Sequence, residues 1–200
     1  MKKVIGYVST KDLGTLKEQD IKNLDVINIA FGLIERHRVV WNTCGNEEYL
    51  PKIREINPDI KIVLSVGGWG ADGFSQAART EEGRALFAVS AVSLVETYGL
   101  DGIDIDWEYP GTSLAGIGSH ENDKENYTLL LKALRESLDH MEGEKTLSVA
   151  VGGDVYFALQ TDMEAAGRYL DYVQLMTYDL QGGFQKVTGH HAALYHSEGN

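Results

Sequence analysis

The sequence has 200 residues, of which 43% are apolar and 9% aromatic, enough for one domain with a buried core. Eighteen Lys and Arg residues against 30 Asp and Glu residues give a net charge of −12, which repels a nucleic-acid backbone or an anionic membrane surface. The single cysteine, Cys44, excludes an intrachain disulfide, and no segment approaches the roughly 18 apolar residues of a membrane span. We therefore expect neither nucleic acid nor a membrane as a partner.

The chain begins with a methionine and two lysines, like a secretory signal, but the apolar run behind them is broken at Gly6 and turns polar at Ser9. We expect a strand there and no export signal. Further apolar runs follow, alternating with segments of helical spacing, of which one lies between a capping Thr80 and a terminal Gly99. The predicted strands cover residues 4–8, 25–34, 60–66, 102–108, 146–151 and 172–178. The predicted helices cover residues 16–24, 47–56, 80–98, 123–141 and 161–170.

Strands joined by helices pair in parallel, which leaves a doubly wound open sheet or an eightfold barrel. Polar side chains lie near the C-terminal ends of strands one, three and six, at Tyr7, Ser65 and Tyr178, and strand four carries acids. A barrel gathers all strand ends around one axis, whereas an open sheet spreads them along a line. No GxGxxG motif follows strand one, which disfavours a dinucleotide-binding sheet. We therefore predict an α/β fold of the TIM (β/α)8 type, without a second domain.

Strand four places three acids on one face. Asp104, Asp106 and Glu108 are spaced by two residues, and the intervening isoleucines and tryptophan project from the opposite face. Ionisable groups in a packed lumen cost several kcal/mol unless hydrogen bonds or a shared proton relieve them. An exposed edge strand is one alternative, and a hard-metal site is another, although the spacing does not fit a calcium loop. The third reading is acid/base catalysis, in which crowding raises the pKa of the outermost acid, Glu108.

The segment around these acids resembles a known signature. Residues 101–110 (DGIDIDWEYP) resemble the motif of family-18 glycoside hydrolases, the chitinases and their relatives. Three further segments agree in order and place: residues 65–69 (SVGGW), 174–179 (QLMTYD) and 188–192 (TGHHA). The likeness runs from Ile5 to about Tyr195. It implies a family-18 barrel of eight strands, so we expect the chain, residues 1–200, to be a partial barrel that ends after about strand six, without strands seven and eight.

The resemblance also implies roles for individual residues. Glu108 is the implied general acid, and Asp106 orients the acetamido group of the substrate and stabilises the charge that develops on it. Asp104 lies deepest and shares a proton or hydrogen bond with Asp106, with Tyr7 and Ser65 as its donors. Tyr178, the fourth implied catalytic residue, bonds the acetamido oxygen. The other implied substrate-binding residues are Phe31, Gly68, Trp69, Tyr109, Met176 and Asp179.

Several of these assignments have structural alternatives. Phe31, Met176 and Trp69 could instead be core residues. The adjacent His190 and His191 lack a third ligand, so we assign no metal there, and the resemblance implies no cofactor.

Three functions fit the resemblance. The first is a chitinase that hydrolyses β-1,4 N-acetylglucosamine linkages in chitin or its oligosaccharides by a retaining, substrate-assisted mechanism. The second is an endo-β-N-acetylglucosaminidase or a peptidoglycan-processing hydrolase of the same family. The third is a non-catalytic, lectin-like chitin-binding protein, which an incomplete pocket in this chain favours. Family members are typically secreted, and the open edges of a partial barrel predict self-association.

Overall fold

The computed structural model describes residues 2–183 and 186–195. The strands are β1 Ile5–Ser9, β2 Val26–Glu35, β3 Arg38–Val40, β4 Lys61–Gly67, β5 Gly102–Asp106, β6 Thr146–Gly152 and β7 Tyr172–Met176. The helices are α1 Glu18–Lys22, α2 Tyr49–Ile56, α3 Phe74–Ala78, α4 Glu81–Tyr98, α5 Asp123–Asp139, α6 Val155–Gln160 and α7 Met163–Ala166. Short 3-10 helices cover Thr10–Thr15 and Gly167–Tyr169.

In this part of the chain, six strands pair in parallel in the order β1-β2-β4-β5-β6-β7, and β3 pairs antiparallel with β2. The sheet is curved, because Tyr7 on β1 and Gln174 on β7 lie at its two ends and yet both hydrogen-bond Asp104 on the central strand β5. The structure is thus a partial barrel of βα units, which confirms the predicted fold class.

The helices cover the outer face of the sheet. Trp107, directly after β5, is 1% exposed and stacks on Phe74 of α3 with ring centroids 5.2 Å apart. Ile103 and Ile105 are also buried on this outer side, as the alternation along strand four predicts. The inner face is consequently left to the acids. No helix of the described residues is long and apolar enough to cross a membrane.

The long helix α4 forms as predicted. The Thr80 side chain accepts a hydrogen bond from the Gly83 amide at its start, and Gly99 ends it in the left-handed conformation at φ 60°. Both groups satisfy backbone atoms that the helix ends leave free.

Other predicted elements were wrong in extent. Strand four was predicted to reach residue 108, but β5 ends at Asp106, whose carbonyl accepts a hydrogen bond from the Gly68 amide in the loop after β4. The helix predicted over 161–170 is replaced by α7, which Asp162 caps, and a 3-10 turn, and α6, which Asp154 caps, was not predicted. Hairpin strand β3 and helix α3 were not predicted. Residues 1, 184–185 and 196–200 of the predicted 1–200 domain lie outside the described residues, and the domain extent stays a prediction.

Candidate active site

Asp104 forms the floor of the candidate site. Its side chain is 0% exposed and accepts hydrogen bonds from described residues on four other strands. The donors are Tyr7 Oη at 2.8 Å, Ser65 Oγ at 2.7 Å, Ser148 Oγ at 2.7 Å and Gln174 Nε2 at 2.9 Å. Burial raises the pKa of Asp104, and these hydrogen bonds act in the opposite direction. The expected contacts from Tyr7 and Ser65 are therefore present, and Asp106 is not among the donors.

Asp106 is the middle acid. It is 5% exposed, and its Oδ1 has no hydrogen-bond partner within the described residues. Burial, followed by the charges of Glu108 and Asp104, raises the pKa of Asp106 from 3.8 to about 8. A buried carboxyl oxygen without a donor is costly, so this atom is available to a group that a ligand brings.

Glu108 is the outermost and least buried acid. Burial raises the pKa of Glu108, a hydrogen bond with Tyr109 opposes the rise, and the charge of Asp179 adds to it. The Glu108–Tyr109 peptide bond is cis, as is the bond between residues 30 and 31 within β2. Because β5 ends at Asp106, Glu108 follows the strand and is not part of it, although its charge still raises the pKa of Asp106.

A cavity of about 380 Å³ opens above Asp106 at the C-terminal ends of the strands. The predicted site residues that line it are Tyr7, Phe31, Asp106, Met176 and Tyr178. Their rings remain accessible, with exposed fractions of 45% for Tyr7, 39% for Phe31 and 49% for Tyr178. The structure thus brings residues of β1, β2, β5 and β7 and their adjoining loops to one opening.

A larger cavity of about 980 Å³ lies at the opposite end of the strands. Its lining includes Lys3 before β1, Thr146 at the start of β6 and Tyr172 at the start of β7. This cavity fills the gap between the two open edges of the sheet. Gln174 reaches it, but none of the predicted site residues lines it, so volume alone does not identify the site.

Two glycines at the end of β4 allow the backbone to pass close to Asp106 and Phe31. Gly67, at φ 123°, lies where a Cβ atom would come within 2.0 Å of the Asp106 carbonyl oxygen. Gly68, at φ 91°, is buried, and a Cβ atom there would lie 2.7 Å from the Phe31 ring. Only glycine fits these positions. The structure therefore places Gly68 beneath the Phe31 ring, where it sets the position of that ring.

The remaining predicted residues, Glu108 included, do not line this cavity. The Trp69 ring is 52% exposed and meets the Tyr109 ring edge to face, with centroids 6.2 Å apart. Asp179 is exposed and pairs with His191 at 3.3 Å, while the His191 ring stacks on Tyr178. Ser65 is fully buried, and its contact is with Asp104 below the cavity.

Sequence reasoning missed three residues of the floor. Ser148 and Gln174 both bond Asp104, and Asn28 donates to Gln174 at 3.1 Å. Each is a single polar residue inside an apolar strand, which is a signal that was present in the sequence. Their partners lie on distant strands, so the sequence alone does not reveal the network.

Comparisons with known proteins agree with this geometry. Residues 3–200 match the family described as glycosyl hydrolases family 18. The chain is 40% identical over 156 residues to Chitinase A1 of Niallia circulans, covering 75% of this chain and 22% of that protein. It is 35% identical over 181 residues to Chitotriosidase-1 of Mus musculus, covering 85% of this chain and 38% of that protein.

A similar solved structure is that of a family-18 N-acetylglucosaminidase from Paenibacillus barengoltzii, with a TM-score of 0.96 and 47% identity. The match covers 100% of this chain and 60% of that one, so the chain spans less than two thirds of each of these relatives. Because the family match extends over nearly the whole chain, the chain belongs to glycosyl hydrolases family 18.

Proposed function

We propose that the protein hydrolyses β-1,4-linked N-acetylglucosamine chains, chitin or its oligosaccharides, with retention of anomeric configuration. The observation that carries this proposal is that the three acids differ in burial and in hydrogen bonding. Asp104 is fully hydrogen-bonded, Asp106 has an oxygen without a donor among the described residues, and Glu108 is half-buried after the end of β5. Such differences divide chemically similar groups into separate roles.

Glu108 is the proposed general acid. Burial raises its pKa, which favours the protonated form that a general acid needs before the reaction. It is the outermost of the three acids and is half-buried, so a glycosidic oxygen can reach it from solvent. In the reaction, Glu108 donates its proton to the leaving oxygen as the bond to carbon one breaks.

A second carboxylate is poorly placed to act as nucleophile. Retaining enzymes with a carboxylate nucleophile hold it about 5–5.5 Å from the acid, across the sugar ring. Asp106 is the last residue of β5 and is 5% exposed, and Glu108 follows two residues later, so both acids come from the same end of one strand and not from opposite sides of a sugar ring. We therefore assign the attack on carbon one to the acetamido oxygen of the substrate, while Asp106 Oδ1 accepts the acetamido N–H. Tyr178, at the same cavity, positions the acetamido oxygen.

The general acid is tested by Glu108→Gln, which keeps the shape and removes the proton. Hydrolysis of N-acetylglucosamine oligomers is expected to fall by about 10²–10⁴-fold, while oligomer binding stays largely intact. Glu55→Gln, at an exposed position on α2, is the matched control. A Glu108→Gln variant with more than about a tenth of the original activity would refute the assignment.

Substrate assistance is tested by the choice of sugar. The protein should cleave N-acetylated oligomers, leave bonds beside fully deacetylated sugars intact, and leave cellulose untouched, because only the acetamido group supplies the nucleophile. NMR of the first product should show the retained anomer. Efficient cellulose cleavage or an inverted product contradicts the mechanism.

Release of single N-acetylglucosamine units is a second candidate activity. It is favoured by the 47% identity to a protein described as an N-acetylglucosaminidase. Chromatography of early products from a long oligomer separates the two, because monosaccharide alone indicates this activity and mixed oligomers indicate a chitinase. Binding without cleavage supports the lectin-like alternative.

A further inference from the structure

The four groups that donate hydrogen bonds to Asp104 differ in whether they could also accept one. Three of its donors are hydroxyl groups, which can turn to accept a hydrogen bond if Asp104 becomes protonated. The fourth donor is the Gln174 side-chain nitrogen, 2.9 Å from Asp104 Oδ1, and an amide nitrogen can only donate. Of the four, Gln174 is thus the donor that favours an ionised Asp104, provided that its amide cannot turn over.

Asn28 fixes the orientation of that amide. Its Nδ2 lies 3.1 Å from Gln174 Oε1, and Asn28 is 0% exposed. With the Asn28 amide in this orientation, in which its own Oδ1 has no partner among the described residues, turning the Gln174 amide alone would bring two NH2 groups together without an acceptor, which is costly in a buried site. Donation therefore runs from Asn28 through Gln174 and ends on Asp104.

Asp106 has the opposite environment. Its Oδ1 lacks a donor within the described residues, so no hydrogen bond stabilises a charge on that atom. In the same part of the chain, no lysine or arginine forms an ion pair with either acid. Burial penalises both charges and like charges repel, so the pair tends to retain one proton. The titratable groups that face the pair are Tyr7, Glu108, Tyr109, Tyr127, Tyr172 and Tyr178.

We propose that Gln174 is a positioning residue that, oriented by Asn28, holds the shared proton of the acid pair on Asp106 and keeps Asp104 ionised. The inference rests on the proposed function, in which the two acids act together beneath the sugar. Gln174 acts through Asp104. Its effect is to fix a negative charge at the base of the site, so that the proton that moves during binding or reaction is the one on Asp106.

The test is a pH titration of the two carboxyl groups, followed by the 13C chemical shifts of their side chains in the full chain. In the unaltered protein, Asp104 should stay ionised over the range in which Asp106 titrates. Gln174→Met removes the donor at similar size. It should lower the Asp106 midpoint by about one pH unit or more and give Asp104 a protonated fraction in the same range.

Asn28→Leu tests the same network from another strand and serves if Gln174→Met does not fold. It should shift both carboxyl titrations in the same directions as Gln174→Met. Asn126→Leu is the matched control, because Asn126 is also buried but lies on α5. Two results overturn the proposal: an Asp104 that is protonated in the unaltered protein, or variant titrations that superimpose on those of the control.

This measurement needs no catalysis. A protein that fails to cleave N-acetylglucosamine oligomers but shows the expected titrations refutes the proposed function and leaves the role of Gln174 standing. If the protein cleaves the oligomers but the Gln174→Met and Asn28→Leu variants titrate like the control, the role of Gln174 is refuted and the proposed function stands.

Discussion

Replacing Asp106 by asparagine should remove much of the pH dependence of the free energy of unfolding. Burial, with the charges of Glu108 and Asp104, raises the Asp106 pKa from 3.8 to about 8. A carboxyl with a raised pKa binds its proton more tightly in the folded state. Its contribution is complete below about pH 4 and is lost as the pH rises toward 8. A shift of about 4 units at ~1.4 kcal/mol each corresponds to a loss on the order of 5 kcal/mol.

Urea unfolding between about pH 4 and pH 8 measures this loss. Asparagine keeps the shape of the side chain and remains neutral, so the Asp106→Asn variant should lose much less stability over this range. Its remaining slope should come from Asp104 and Glu108, whose pKa values are also raised by burial. Asp59→Asn, at an exposed position before β4, should behave like the original protein. Parallel stability curves for the original protein and Asp106→Asn would show that Asp106 does not carry a shifted proton.

Three further predictions concern the walls and edges of the site. Gly68→Ala should cost about 1–3 kcal/mol in a thermal or urea unfolding measurement, because φ is 91° and the new Cβ meets the Phe31 ring; an unchanged midpoint would contradict this. Trp69→Ala should weaken binding of N-acetylglucosamine oligomers about tenfold by calorimetry, whereas equal affinity would remove Trp69 from the sugar site. The open edges of β1 and β7 should cause self-association, and light scattering that shows a stable monomer over about a hundredfold dilution would count against it.

The sequence predicted the features that depend on local spacing. Alternation along residues 102–107 separates the acids from Trp107 and its neighbouring isoleucines, and the structure confirms that the apolar set is buried against the helices. Parallel order followed from strands alternating with helices, and the ends of α4 followed from Thr80 and Gly99. Each of these inferences uses residues close together in the chain.

The features that the sequence did not predict depend on distant contacts. Asn28 and Gln174 meet across 146 positions of the chain, and the curvature of the sheet decides which strands face each other. The segment 161–170 was predicted as one helix, but it forms α7, which Asp162 caps, and a 3-10 turn. Spacing shows that a residue faces inward, but it does not show what the residue meets there.

Burial across the sheet changes from the centre to the ends. Every residue of β5 is buried, whereas β1 and β7, both fully described by the structure, contain no buried residue. Amide hydrogen exchange should accordingly be slowest in β5 and faster in β1 and β7, since strands with little burial open by local fluctuations at lower free energy. The acids Asp104 and Asp106 thus keep a fixed spacing on the most protected strand. Tyr7 and Met176 lie on the less buried strands β1 and β7, so the side walls of the cavity should move more than the acids at its floor.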